Sequence, residues 1–431
     1  MTLVPDPATA DGHLPGTREY RRLVWALFAA GLATFALLYS TQALLTELSA
    51  EFEVSAAQST LTLSLTTLGL GAALLVTGPW SDRIGRTRLI HASLGLSAVV
   101  AVGCALAPTW ETLLALRLLQ GITLAGLPAV ATAYLLEELH PSAHARAAGL
   151  YIGGTALGGM AGRLVTGPVA ELAGWRWGLG AAAALGIACA LAVTVLLPRS
   201  LGFSPATGGA ASVLRMARRA LADPALLCLY AIGGCSVGAL VAVFNVLGFR
   251  LQDAPFGLGV GAASLLFLAY PVGTVSSAFS GRLADRVGRR AVLPVGAVVA
   301  VLGLLLTLPD SLPLIALGLC VLIAGFFAIH GVASGWVPAR AHAGGVSTGQ
   351  AASLYLFTYY AGASLFGSLS GRAFTAAGWP AVVTLAAVLL LVAGALALAL
   401  RRTPSLLPTT PAQASQPSGR SRNGNFPTTS R

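Results

Sequence analysis

Apolar runs of about 20 residues recur along this chain from end to end, and each is long enough to cross the hydrocarbon core of a bilayer as a helix. Within lipid, every backbone N–H and C=O must find a partner inside the protein, so such a chain folds as a helix bundle. Hydropathy places six segments in the first half, at 24–46, 57–78, 89–107, 112–136, 145–171 and 177–197. Six more follow at 225–249, 258–281, 291–308, 312–337, 347–375 and 380–400. Only 10% of the residues are charged, where a soluble chain carries about 25%. The expected fold class is therefore an all-α polytopic membrane protein with twelve spans. The 51 glycines suit it, because small residues let membrane helices approach closely.

Two short stretches, half a chain apart, nearly repeat each other. Gly78–Arg88 reads G-P-W-S-D-R-I-G-R-T-R, and Gly281–Arg290 reads G-R-L-A-D-R-V-G-R-R. The matching pairs are Gly78/Gly281, Asp82/Asp285, Arg83/Arg286, Gly85/Gly288 and Arg86/Arg289. Each stretch is expected to form a tight basic loop between two spans. A second repeat aligns Tyr151–Arg163 with Tyr360–Arg372 without gaps, making Arg163 and Arg372 mates. Repeats of this kind in an apolar chain point to a transporter built from two related halves.

Charge sets the expected orientation. All 26 basic residues are Arg, and 21 of them fall on one side of the twelve-span map: both ends, the even-numbered loops and the central linker. Basic loops stay cytoplasmic, so both termini should be cytoplasmic, and the net charge of +11 reflects topology rather than a nucleic-acid surface. The division expected is a disordered N-terminus (1–22), a six-helix bundle (23–197), a linker (198–223), a second six-helix bundle (224–402) and a disordered tail (403–431). Part of the linker is expected to form an amphipathic surface helix. The five cysteines lie inside apolar segments with no metal-ligand or redox spacing. No signal-peptide pattern precedes the first span.

Two six-helix halves, a charged linker and G-x-x-x-D-R-x-G-R after spans 2 and 8 resemble the major facilitator superfamily, over roughly Val24–Arg402. The resemblance implies a pseudo-symmetric pair of six-helix bundles whose paired loops lock the cytoplasmic side. It makes Gly78, Asp82, Arg83, Gly85 and Arg86, with Gly281, Asp285, Arg286, Gly288 and Arg289, the gating residues. Asp82 would face a helix N-terminus, and the arginines would pair with Glu137 or Glu138. Trp80 stands where the family more often has Leu. Leu116–Gly126 resembles the Arg-containing motif of drug:proton antiporters, with Arg117 and Gly121 matching. The antiporter pattern of span 5 is only partly met: Gly159, Gly167 and Pro168 fit, but Arg163 replaces a glycine. G-L-Y-I-G-G-T-A-L-G-G-M-A-G-R and the first span resemble instead the YnfM-like and AraJ-like branch of the drug and sugar efflux permeases.

Polar groups within spans are the candidate substrate or coupling residues. These are Tyr39 and Gln42 on one face of span 1, Arg117, Arg163, Asn245, His330, Tyr360 and Arg372, with Tyr355 and Tyr359 beside Tyr360. Arg117 is expected either to face the cavity or to reach the outer headgroups. Arg163 and Arg372 are expected either to face the cavity or to anchor in the outer leaflet, Arg372 more readily as an anchor. Tyr39, Gln42, Asn245 and His330 are equally readable as packed, hydrogen-bonded core residues, and the Ser/Thr stripe from Ser59 to Thr67 as helix packing. All 15 acidic residues lie in loops or at helix ends, Glu47, Glu111 and Glu171 being nearest the membrane. A cavity with Arg, His and Tyr but no carboxylate favours neutral polar or anionic substrates over cations. No phosphate-binding loop, metal cluster or catalytic triad appears, so neither an enzyme nor a resident cofactor is expected. The reading is a monomeric, multi-pass secondary transporter of a bacterial inner membrane that exports a small drug, sugar or organic anion against a proton gradient. An importer or anion exchanger is the alternative, and a non-transporting receptor or scaffold a more distant one. The lipid bilayer and the substrate are the partners expected, with no nucleic acid.

Overall fold

The computed structural model describes residues 12–198, 200 and 210–403. Among the described residues the regular structure is helical, apart from an isolated bridge between His13 and Leu139. The first span, α1, runs Arg18–Tyr39, breaks at Ser40 and Thr41, and continues through Gln42–Leu44 and Leu45–Glu51. It is followed by α2 (Ala56–Ser59 and Leu61–Ile84), α3 (Arg86–Ala105), α4 (Trp110–Leu124 and Gly126–Glu138), α5 (His144–Ala173) and α6 (Trp175–Leu196). A linker helix, Ala210–Ala222, leads to α7 (Pro224–Gln252). Next come α8 (Val260–Ser264, Leu265–Ala269 and Pro271–Val287), α9 (Arg289–Leu306) and α10 (Leu312–Ala343). The last element, Thr348–Ala399, has non-helical backbone at Ala377 and Gly378, which divides it into α11 (348–376) and α12 (379–399).

Ten helical stretches are long and apolar enough to cross a membrane. Dividing the last at Gly378 and adding the glycine-rich, 30-residue α5 gives twelve spans. Asp223 caps α7 by accepting hydrogen bonds from the N–H groups of Ala225 (2.8 Å) and Leu226 (3.2 Å), with Pro224 at the first helical position. Its other oxygen accepts from Arg340 at 3.0 Å, which ties the linker to the end of α10. The cap satisfies donors that a helix start otherwise leaves open.

The two basic stretches differ from the expected loops. Both are helical almost throughout, and each turn is confined to one glycine, Gly85 (φ 98°) or Gly288 (φ 89°). A side chain at either would strain a backbone that only glycine enters freely. Gly78 and Gly281 lie inside helices with open space where a Cβ would stand, so neither makes the turn.

Glycine packing builds each half. On α5, a Cβ at Gly154, Gly158 or Gly162 would lie 2.3–2.4 Å from the carbonyl oxygens of Phe28, Leu32 and Ala36 on α1. This four-residue ladder lets the backbones of α1 and α5 touch. The second half repeats the arrangement where Gly362 of α11 meets Gly234 of α7. The pairings α1·α5, α2·α4 and α3·α6 recur as α7·α11, α8·α10 and α9 with the last element, so the halves are structural copies.

The halves meet unevenly. Contacts across the seam join α2 to α11, α5 to α8, and the tail of α1 to α7. Several lie at the end where α5 finishes and α8 begins: Gly167 against Ser264, Gly371 against Ala57, and Glu171 against Gly261. At the opposite end, where Arg18 enters and Arg402 leaves, α10 and the Gly126–Glu138 part of α4 pack mainly within their own halves. The contacts across the seam therefore gather at the first of these ends.

Candidate functional site

Arg163 of α5 sits at the seam with 0% of its surface exposed. Its Nε donates to Gln42 Oε1 at 2.7 Å, Nη1 to the Gly159 carbonyl at 2.8 Å, and Nη2 to the Tyr270 hydroxyl at 3.2 Å. The guanidinium carbon lies 4.1 Å from the ring centre of Tyr39, 4.5 Å from that of Tyr270 and 4.7 Å from that of Phe267. Aromatic faces attract a cation most strongly where water is excluded. Every one of these partners is neutral, and among the described residues no ion pair involves Arg163. The nearest carboxylate on its own helix, Glu171, accepts from the Gly261 N–H at 2.6 Å.

From Arg163 the hydrogen bonds continue across the seam. Gln42 Nε2 donates to Asn245 Oδ1 at 2.7 Å, and Asn245 Nδ2 donates to the Gly367 carbonyl at 3.3 Å. Tyr39 and Gln42 therefore do share one target, but not as neighbours on one helical face, since the α1 break lies between them. A second cluster lies in the other half. His330 Nδ1 is 3.0 Å from the Tyr355 hydroxyl, and its ring stacks on Phe326 (5.6 Å, 5°) and lies 4.9 Å from Tyr359. Tyr39, Tyr270, His330 and Tyr359 are half-buried and front these clusters.

The structure separates the remaining candidates. Arg117 neither faces a cavity nor reaches headgroups: it is 1% exposed and donates to the carbonyls of Thr62 (3.1 Å), Leu37 (3.1 Å) and Leu38 (2.8 Å) and to the Ser40 hydroxyl (3.4 Å). The Leu37 and Leu38 carbonyls belong to the last turn before the α1 break, where helical donors run out and the helix dipole is negative. Arg117 thus closes that break. Tyr360 is buried and packs at the seam, its Cβ 3.0 Å from where a Cβ on Gly71 of α2 would stand. Arg372, the sequence mate of Arg163, is exposed and belongs to neither cluster. Along α2, Thr62, Thr66 and Thr67 bond backbone carbonyls of their own helix, whereas Ser64 accepts from Ser368 at 2.8 Å across the seam.

The basic stretches also diverge. Arg86 pairs with Asp82 at 2.5 Å and Glu137 at 2.9 Å, and bonds Ser81. Asp82 reaches across the Gly85 turn to the side chain of Arg86, the first residue of α3, and so does face the start of the next helix. Among the described residues Asp285 and Arg286 form no ion pair, Arg289 keeps a buried Nη1 without a hydrogen bond, and Arg83 is exposed. Sequence reasoning missed Tyr270 and Phe267, since a ring beside an unremarkable span start carries no local signal. It noticed Glu171 only as an acid near the membrane.

The model of the Major Facilitator Superfamily matches residues 23–276 and 254–428. The chain belongs to this superfamily. The inner membrane transport protein YnfM of Escherichia coli is 40% identical over 378 residues, 88% of this chain and 90% of that one. The uncharacterized MFS-type transporter YybF of Bacillus subtilis is 37% identical over 379 residues, 88% and 93% of the two chains. Among solved structures, a bacterial homologue of the human lysosomal transporter Spinster, in an inward-facing and occupied conformation, superposes with a TM-score of 0.71 at 18% identity. It covers 90% of this chain and 98% of that one. A mutant of the nucleoside transporter NupG gives 0.68 at 17% identity, covering 88% and 98%. As a major facilitator, the chain is a multi-pass membrane transporter and not an enzyme.

Proposed function

We propose that the protein moves a small neutral or anionic solute through the seam by alternating access, exporting it against a proton gradient. The observation that carries this reading is the uneven seam: one end is closed by Gly167–Ser264, Glu171–Gly261 and Gly371–Ala57, while at the other α10 and the Gly126–Glu138 part of α4 pack mainly within their own halves. With the arginine-rich ends placed on the cytoplasmic face of a bacterial inner membrane, this is the inward-open state. Packed halves switch between discrete arrangements rather than deforming continuously. Efflux rests on the resemblance of the span-5 and first-span sequences to the drug and sugar efflux permeases, and His330, Glu47 and Glu171 are the groups able to carry the coupled proton. Transport into proteoliposomes under an imposed pH gradient, run with sugars, organic anions and drugs, tests the reading. Uptake that collapses with the gradient is the expected outcome, and gradient-independent leakage equal to that of empty vesicles would refute it.

A second reading, import or anion exchange, is favoured by Arg163, whose charge at the seam has no carboxylate partner among the described residues. Counterflow driven by trans-side anion without any pH gradient would select it.

A further inference from the structure

We infer that Arg163 and Tyr270 form a displaceable anion subsite for planar aromatic monoanions, in which the Tyr270 hydroxyl holds the place of the anion's oxygen. The inference rests on the reading of the seam as the transport route, and names the solute class that route accepts.

A guanidinium has five N–H donors, and the bonds to Gln42, Gly159 and Tyr270 occupy three different nitrogens. The first two partners come from the same half as Arg163, so they move with it. Tyr270 belongs to the other half, and its bond is the longest of the three, at 3.2 Å. It is the contact that must break whenever the halves separate at the closed end. A carboxylate or sulfonate oxygen arriving there replaces a neutral acceptor with a charged one. Charge-assisted bonds are about twice as strong as neutral ones, and the low dielectric around a buried guanidinium raises the difference.

Among the described residues no group competes as counter-ion. Glu171 is occupied by the Gly261 N–H, Glu51 pairs with Arg176 at 2.8 Å, and Glu47 lies with these two acids towards the closed end. The rings supply the second part of the specificity. Tyr39 and Tyr270 flank the guanidinium at 4.1 and 4.5 Å, and Tyr359 packs against the same cluster as Tyr39 and contacts His330 at 4.9 Å. An anionic head on Arg163 would therefore place an attached ring against a wall of half-buried tyrosines. Aromatic pairs attract one another beyond the area they bury. A lipophilic cation of the same shape would meet the uncompensated charge instead.

The test uses purified full-length protein in detergent and three isosteric probes: benzenesulfonate, benzenesulfonamide and phenyltrimethylammonium. Thermal unfolding reads binding independently of transport, because a ligand that binds only the folded state raises Tm. Benzenesulfonate should raise Tm in a saturable manner, and the neutral and cationic probes should not. Arg163→Gln should weaken the benzenesulfonate response by about tenfold or more, with Arg163→Lys intermediate. Methanesulfonate, lacking the ring, should be several-fold weaker. Should Arg163→Gln fail to fold, Tyr270→Phe decides: removing the competing hydroxyl should strengthen benzenesulfonate binding, whereas a purely structural Arg163–Tyr270 contact predicts no gain. Equal responses to sulfonate and sulfonamide, or an unchanged response in both variants, would overturn the inference. A protein that binds benzenesulfonate in this way without moving it would leave the subsite standing and defeat the transport reading.

Discussion

Gln42 donates a 2.7 Å hydrogen bond to Asn245 across the seam between the two halves, and the direction of that bond is forced. Arg163 can only donate, so it takes Gln42 Oε1, and the Gly367 carbonyl can only accept, so it takes Asn245 Nδ2. The chain from Arg163 to Gly367 therefore joins α5, α1, α7 and α11 with a consistent polarity. Its middle bond must break for the closed end to open. Asn245→Leu should shift the protein toward the state open at that end and leave Gln42 without its acceptor. In a cysteine-free background, a cysteine at Ala57, which packs against Gly371, should then react faster with impermeant maleimide applied outside. A double cycle with Gln42→Leu should show coupling of about 1 kcal/mol; additive effects would mean that the bond does not hold the seam.

Arg117 should matter for stability more than for solute choice. Its three carbonyl partners and Ser40 have no other cation near them among the described residues. The carbonyls of Thr62 and Leu37 keep the hydroxyls of Thr66 and Ser40, so the loss falls mainly on the Leu38 carbonyl, where an unmade buried hydrogen bond costs about 1–3 kcal/mol. Arg117→Gln is expected to lower Tm markedly in detergent, while the relative preference for anionic over cationic probes stays as in the wild type. A stable variant with altered preference would place Arg117 at the substrate instead.

The α1–α5 ladder predicts a sharp contrast between glycines. Gly158→Leu puts side-chain atoms into the Leu32 carbonyl, where even a Cβ would lie at 2.3 Å. The helices must then part, and the folded fraction extracted in mild detergent should fall severely. Gly95→Ala has open space around it and should be near neutral. Similar yields from both variants would contradict the packing.

Asp82→Asn removes one of two acids holding Arg86, and Glu137→Gln removes the other. These pairs are partly exposed, so each contributes at most about 1 kcal/mol to folding. Folding should survive while the balance between inward- and outward-open labelling shifts. Asp285→Asn, in the copy without an ion pair, should shift it less. Identical effects at both positions would show that the observed asymmetry has no role.

If the arginine count sets topology, a cysteine at Ala217 in the linker helix should stay unlabelled by impermeant reagents on intact cells and react after permeabilisation. Labelling from outside would overturn the orientation of all twelve spans.

Number and approximate limits of the spans, the two-fold repeat and the family were legible in the chain itself, because each rests on local hydropathy or on residues adjacent in sequence. Lipid leaves the backbone one economical solution, so runs of about 20 apolar residues specify helices without knowledge of their neighbours. Even the single-residue turns at Gly85 and Gly288 left a trace in the repeated motif, although the helices press closer to them than hydropathy suggested. The roles of the buried arginines were not legible. Arg117, Arg163 and Arg372 look alike in sequence, each a lone cation in an apolar run. Tertiary structure gives them three fates: one beneath a helix break, one among the rings of Tyr39, Phe267 and Tyr270, and one at the surface. The partners that decide those fates come from other helices, such as Gln42, 121 positions from Arg163 in sequence. The energy of a buried charge depends on the acceptors, rings and dielectric around it rather than on its chain neighbours.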